Sequence, residues 1–343
     1  MNIKAIWDKA DSLRGCLSHL RTKMGRRRYA EDEDPLPLEN PFVSDEAKIL
    51  SSKTRRTMAR KTQVFTRPEN SLVRTRDSHV GEVVAISVVA SEMLGLNTDL
   101  VRAAAWGHDI GHVPFGHQGE SWMAKAMGQP EFCHEAMGVI VAQKIERRGR
   151  GLNLCHETLE CMYRHSGNTA KDGMPAEAWI LRYMDKAGYL FADINDIGGR
   201  MRYPLPAELV TLVNEFGGDQ RERTTTAIAG MVIESAELGK VCFEQSELGR
   251  KFSRIRDLML EIYPHVTQQN VTVTMESILE FLRLLNLGDP FLLLALMNDS
   301  DAIMLASESM KDMRLFNRTA VSEVVPYLQE IGPVDLCDPD LDW

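Results

Sequence analysis

Apolar positions recur along the chain at the three- and four-residue spacing of α-helices, and this pattern predicts an all-α fold. In "DSHVGEVVAISVVASEML", residues 77–94, His79, Val83, Ile86 and Ala90 share one face that is apolar apart from its histidine. Gly95 suits a C-terminal cap. Asn97 or Thr98 then opens a second helix, "DLVRAAAWGHD", whose apolar stripe again ends on a histidine, His108. A third helix is predicted from roughly Pro175 to Asp196, where Asp185, Tyr189, Asp193 and Asp196 form a polar, mostly acidic stripe on an otherwise apolar segment. Beyond Arg200, stretches such as "TTTAIAGMVIESAELG" and "TMESILEFLRLLNLG" read as ordinary amphipathic helices bounded by Gly, Pro or Asn. Residues 29–45, "YAEDEDPLPLENPFVSD", predict an irregular acidic lead-in. The expected organisation is a lead-in over 1–45, a core over 46–200 and a C-terminal helical region over 201–343 packed on that core.

Composition narrows the class. A chain of 343 residues with 44% hydrophobic content can fill a sizeable core. It has no run of eighteen apolar residues, and "MNIKAIWDKADSLRG" carries charges where a signal peptide needs an apolar stretch, so a cytoplasmic protein with no membrane partner is expected. The six cysteines form no CxxC pair, which fits reduced thiols and leaves histidine and carboxylate for any metal. A net charge of −9 argues against coating of nucleic acid. Residues 51–76 nevertheless hold Lys53, Arg55, Arg56, Arg60, Lys61, Arg67, Arg74 and Arg76 against Glu69 alone, a net of +7. That segment reads either as an anion site, polyphosphate being the small anion that needs several arginines, or as a solvated basic face.

The densest chemistry lies in "AWGHDIGHVPFGHQGE", residues 105–120. A lone histidine at the end of an apolar face is as a rule a hydrogen-bonded core residue. The adjacent His108 and Asp109 change that reading. Neighbours on a helix diverge by about 100°, so both can grip one cation only where a helix terminus faces it. Gly111 and Pro114 end the helix just there. Two imidazoles with two carboxylates suit Mn, Fe, Co, Ni or Mg better than a closed structural zinc site. The HExxH reading of His108 and His112 fails, because it needs an unbroken helix and a glutamate base.

Arg76 to His79, then His108-Asp109, then a distant Asp185 resemble the HD-domain metal phosphohydrolases. More narrowly, the chain resembles the deoxynucleoside triphosphate triphosphohydrolases of the dGTPase group. "SSKTRRTMARKTQVF", "RTRDSHVGEV", "HDIGHVPFGHQGE", "GLNLCHETLE" and "DKAGYLFADIND" follow that family's motifs in order over about residues 47–197, whereas the C-terminal third shows none. The resemblance implies an HD-domain helical bundle with additional C-terminal helices. It implies one divalent ion (Mn²⁺, Mg²⁺, Co²⁺, Ni²⁺ or Fe²⁺) on His79, His108, Asp109 and Asp185, and an acid/base pair of His117 and Glu120. It places Gln63 and Asp193 on the sugar 3′-hydroxyl, Tyr189 against the deoxyribose, and Arg76, His112, His134 and Lys186 on the phosphates. The chain departs from the family pattern at Lys186, where a second acid is common, and at Ala192, where histidine is common. The activity implied is hydrolysis of dNTPs, dGTP the first candidate, to a deoxynucleoside and inorganic triphosphate. A homo-oligomer, often a hexamer, is family precedent. Two other readings stay open: an HD phosphodiesterase or nucleotidase of other specificity, and a non-catalytic nucleotide sensor touching single-stranded DNA through Arg147, Arg148 and Arg150.

Overall fold

The computed structural model describes residues 2–30, 40–66, 70–266, 271–308 and 312–343. The chain is all-α as expected; among the described residues the only pairings of extended backbone are isolated bridges, Arg27 with Cys155 and Thr62 with Thr75. No described helix is long and apolar enough to cross a membrane.

Two long helices, Arg76–Leu94 and Ala176–Ile194, pack along each other at the centre. Thr75 caps the first by accepting from the Ser78 amide at 3.4 Å, and Gly95 ends it with φ +78°, the left-handed conformation that glycine adopts freely. Asn97 then caps Thr98–Gly107 by accepting from the Leu100 amide at 3.2 Å. The central pair is apolar nearly all round because it divides two hydrophobic clusters. One gathers Val80, Val83 and Leu181 with the helices of 134–163 and the chain beyond 271; the other gathers Ala90, Met93, Tyr183 and Phe191 with the helices of 207–266.

Early in the lead-in, Ile3–Ser12 is a helix packed on Gln220–Leu238. Within residues 29–45 the structure departs from the expected irregularity: Pro41–Ser51 begins a helix inside that stretch. Pro41 occupies the first turn, where its fixed φ and missing N–H cost nothing, and Asn40 caps it by accepting from the Phe42 amide at 3.1 Å. Residues 31–39 of that stretch, and Arg67 of the basic segment, lie outside the described residues.

Candidate metal centre and cavity

His79 stands in the first turn of Arg76–Leu94, His108 caps the C-terminus of Thr98–Gly107, and Asp185 lies midway along Ala176–Ile194. Gly188 lets the two long helices meet, since a Cβ there would come within 2.9 Å of Val83 Cγ2. The four expected ligands therefore converge, all of them buried. His79 Nε2 is 3.0 Å from Asp185 Oδ1 and 3.8 Å from Asp109 Oδ2, while His108 Nε2 is 3.3 Å from Asp109 Oδ1 and 3.6 Å from Asp185 Oδ1. Donors each about 2 Å from one ion stand at such mutual distances. His108 Nδ1 donates to the Ala105 carbonyl at 2.7 Å, so Nε2 carries the lone pair, and it is buried with no hydrogen-bond partner. An orphaned acceptor between two carboxylates calls for positive charge, and this donor set fits a divalent cation. Burial alone would raise Asp109, but His108, when protonated, and the Arg76 guanidinium outweigh it and hold the carboxyl well below its ordinary range.

Arg76 serves this cluster from behind. Its Nη1 donates to Asp109 Oδ2 at 2.6 Å, and its Nε and Nη2 donate to the carbonyls of Thr62 at 3.1 Å and Gln63 at 2.9 Å. The basic segment is thereby corrected as an open anion site: Arg55 pairs with Asp77, Arg74 with Glu82 and Asp193, and the buried Lys61 ammonium donates to the His112 carbonyl. Only Gln63, Val64 and Arg76 of that stretch reach the cavity wall among the described residues.

A second cluster adjoins the first. Glu120 faces three imidazoles through their Nδ1 atoms: His112 in direct contact, His117 at 2.9 Å and His134 at 3.4 Å. His112 and His134 stack with centroids 3.7 Å apart. Gly111 makes this possible, because a Cβ there would lie 2.1 Å from the His134 carbonyl oxygen. Burial pushes His112 down to about 4, helped by Arg76 and His134; burial also opposes the charge on His134, but Glu135 and Glu120 outweigh it and raise that imidazole to about 9. His117 alone of the three is open to solvent, its side chain 71% exposed at the cavity mouth.

The sequence reading missed His165. It is buried, donates Nδ1 to the Met162 carbonyl at 2.7 Å and turns Nε2 to within 3.7 Å of Asp109 Oδ1. Asp109, His134 and His165 thus form a further trio close enough to hold an ion. A histidine just past a helix end, the signal that singled out His108, was present here too.

His79, Asp109, His112, His134, His165 and Asp185 floor a cavity of about 1210 Å³. Lys186 and Tyr189 line it, and burial, with Arg182 and Arg256 nearby, pushes the lysine down to about 8. Gln63 lines it as well, its Oε1 buried without a partner. Asp193 does not reach the wall: Arg74 donates to one oxygen at 2.5 Å and the Tyr263 hydroxyl to the other at 2.7 Å, so Tyr263 occupies the place expected of the acid. The far end is apolar, with Trp122, Leu260, Val271 and Leu279, rimmed by Lys125, Glu276 and Arg283. Arg147, Arg148 and Arg150 lie elsewhere, Arg148 over the Tyr327 ring and Arg150 on a separate pocket of about 390 Å³.

Residues 76–188 match the HD domain family. Over 250 residues the chain is 33% identical to a deoxyguanosinetriphosphate triphosphohydrolase-like protein of Desulfatibacillum aliphaticivorans, covering 69% of this chain and 68% of that one. A protein of the same description from Clostridium perfringens strain 13 is 32% identical over 244 residues, 69% and 70% of the two chains. Another, from Caldanaerobacter subterraneus subsp. tengcongensis, is 34% identical over 212 residues, and there the match spans 61% of the relative's length, less than two thirds.

Proposed function

The chain belongs to the deoxyguanosinetriphosphate triphosphohydrolase-like family of HD-domain proteins, and from that premise we propose that it is a metal-dependent nucleotide phosphohydrolase that cleaves 2′-deoxynucleoside triphosphates at the α-phosphorus. The observation that carries this reading is the convergence of His79, His108, Asp109 and Asp185, three of which reach the cavity wall, beside His117, which lines the same cavity and pairs with the buried Glu120. Those four residues would hold a divalent ion, which would supply Lewis-acid charge for the polyphosphate. Arg76 fixes Asp109 in its ligating orientation, and the protonated His134 and the ammonium of Lys186 meet the negative charge of the polyphosphate.

Glu120 accepts from His117 Nδ1, which orients the ring and leaves Nε2 facing the cavity as the proton-exchanging atom. Water adds to the α-phosphorus, the bond to the 5′-oxygen breaks, one proton leaves the water and one reaches that oxygen. His117 is the group placed to carry it. Tyr189 and Tyr263 line the wall where a deoxyribose would lie, and the Trp122 end would receive the base.

Product analysis tests the reading. With Mn²⁺ or Mg²⁺ and each of the four dNTPs, the expected products are the deoxynucleoside and inorganic triphosphate in equal amounts, with ATP left intact as the ribose control. The withdrawal of Asp193 behind Tyr263 favours a second reading, a nucleotide phosphohydrolase with different sugar contacts. Pyrophosphate or monophosphate in place of triphosphate selects it.

A further inference from the structure

Two irregular segments adjoin site residues, Lys61–Gln63, which ends on Gln63, and Val113–Phe115, between His112 and His117, and both are tied to one side chain from the C-terminal third. Asp299 is buried; its Oδ2 accepts from the Thr62 amide at 3.0 Å and from the Thr62 hydroxyl, and its Oδ1 accepts from the Phe115 amide at 3.0 Å. It is not the cap of its own helix. Asn298 caps Asp299–Ser307 by accepting from the Asp301 amide at 3.0 Å, and the Asp299 carboxylate turns away to other segments.

Each tie leads onward to a site residue. Thr62 and Gln63 offer the carbonyls that hold Arg76, and Arg76 holds Asp109. Phe115 has φ +67°, a left-handed conformation that a bulky residue adopts only when its surroundings impose it, and His117 follows two residues later. We propose that Asp299 is a positioning residue that sets both halves of the site, acting through Thr62 and Arg76 on Asp109 and through Phe115 on His117. The buried Lys61, which donates to the His112 carbonyl, supplies the nearby positive charge that a buried carboxylate needs. The catalytic part of this inference rests on the function proposed above; the part concerning Asp109 rests on geometry alone.

Asp299→Asn keeps the shape and one acceptor oxygen but sets an amide donor against a donor. Its expected effect is a fall in kcat of about tenfold or more, a KM for dGTP within about threefold of the parent, and Mn²⁺ binding weakened about tenfold, the low end of what removing supports behind metal ligands costs. Leu305→Ala, buried on the same helix, is the control: it should lower the unfolding temperature yet hold kcat within about twofold at an assay temperature below unfolding. Should Asp299→Asn fail to fold, Thr62→Val removes the hydroxyl tie alone and should lower kcat about threefold. A kcat for Asp299→Asn within twofold of the parent overturns the proposal, as does an equal loss of kcat in Leu305→Ala. If the parent releases triphosphate from no dNTP, the functional reading fails by itself, and Mn²⁺ affinity then decides: unchanged affinity in Asp299→Asn overturns the positioning role.

Discussion

At one end of the cavity His79, Asp109, His112, His134, His165 and Asp185 are buried and crowded together, with His108 behind them; at the other, Trp122, Leu260, Val271 and Leu279 meet a rim that includes the exposed Glu276 and Arg283. The first end is built from the helices and turns of residues 76–188 and packs its charges in mutual opposition, so each group's protonation depends on its neighbours. The second borrows from Gly116–Met127 and from two C-terminal helices, Glu247–Val266 and Thr272–Leu285, and offers area with few fixed polar partners. On the proposed function, that difference would put the reaction at the buried end and base selectivity at the open one. Substitutions at the two ends should then separate kcat from KM.

The largest effect should come from breaking the buried end. Asp109→Ala removes a ligand to the candidate metal and the partner of Arg76, and turnover should fall by about 10³-fold or more. Chelation of the parent with EDTA should do the same, with recovery on adding Mn²⁺. Next, on the proposed function, His117→Ala should lower kcat by about 10²- to 10⁴-fold while Mn²⁺ and nucleotide binding persist, because the four proposed ligands, His79, His108, Asp109 and Asp185, are left intact. Release of triphosphate at the parent rate by that variant would remove His117 from the reaction. At the open end, Trp122→Ala should raise KM about tenfold for the preferred base and leave kcat within about threefold. A matched fall in kcat would erase the distinction between the ends.

The buried end was legible because its residue types cannot be explained by packing. Histidines closing apolar faces, an adjacent His-Asp and an acidic stripe on an apolar helix each violate the local pattern, and the order of the motifs joined them. Asp193 shows the limit of that reading. Its spacing from Asp185 placed it on the right face, yet spacing says nothing of Arg74 and Tyr263, which reach it from 119 and 70 residues away and take both its oxygens. The open end was illegible for the same reason: Leu279 sits on the apolar face that any core helix has, Val271 precedes that helix, and an exposed leucine such as Leu260 is common on surfaces, so nothing marks them as lining a cavity. Buried carboxylates that gather loop amides, such as Glu234 on Glu244, Gln245 and Ser246, are likewise invisible without the fold.

A smaller effect sharpens how the buried end is held together. Burial raises the Glu135 carboxyl, but the charges of His134 and His165 and hydrogen bonds from Ser166 and Cys133 outweigh it and bring it down to about 2, against 4.5 for an ordinary glutamate. A folded-state value below the unfolded one gives stability that is present above about pH 4.5 and lost as the pH falls toward 2. The urea midpoint of the parent should therefore exceed that of Glu135→Gln at pH 6, and the gap should close on the acid side. A gap that widens below pH 4.5 would reverse the assignment.

Manganese binding followed by electron paramagnetic resonance, in the parent and in Asp185→Ala, tests the convergence of the three helices most directly. The account predicts bound Mn²⁺ in the parent and at least tenfold weaker binding in Asp185→Ala, whose helical content is unchanged. Equal affinity in the two proteins would mean that Asp185 is no ligand and that the ion, if held, lies elsewhere.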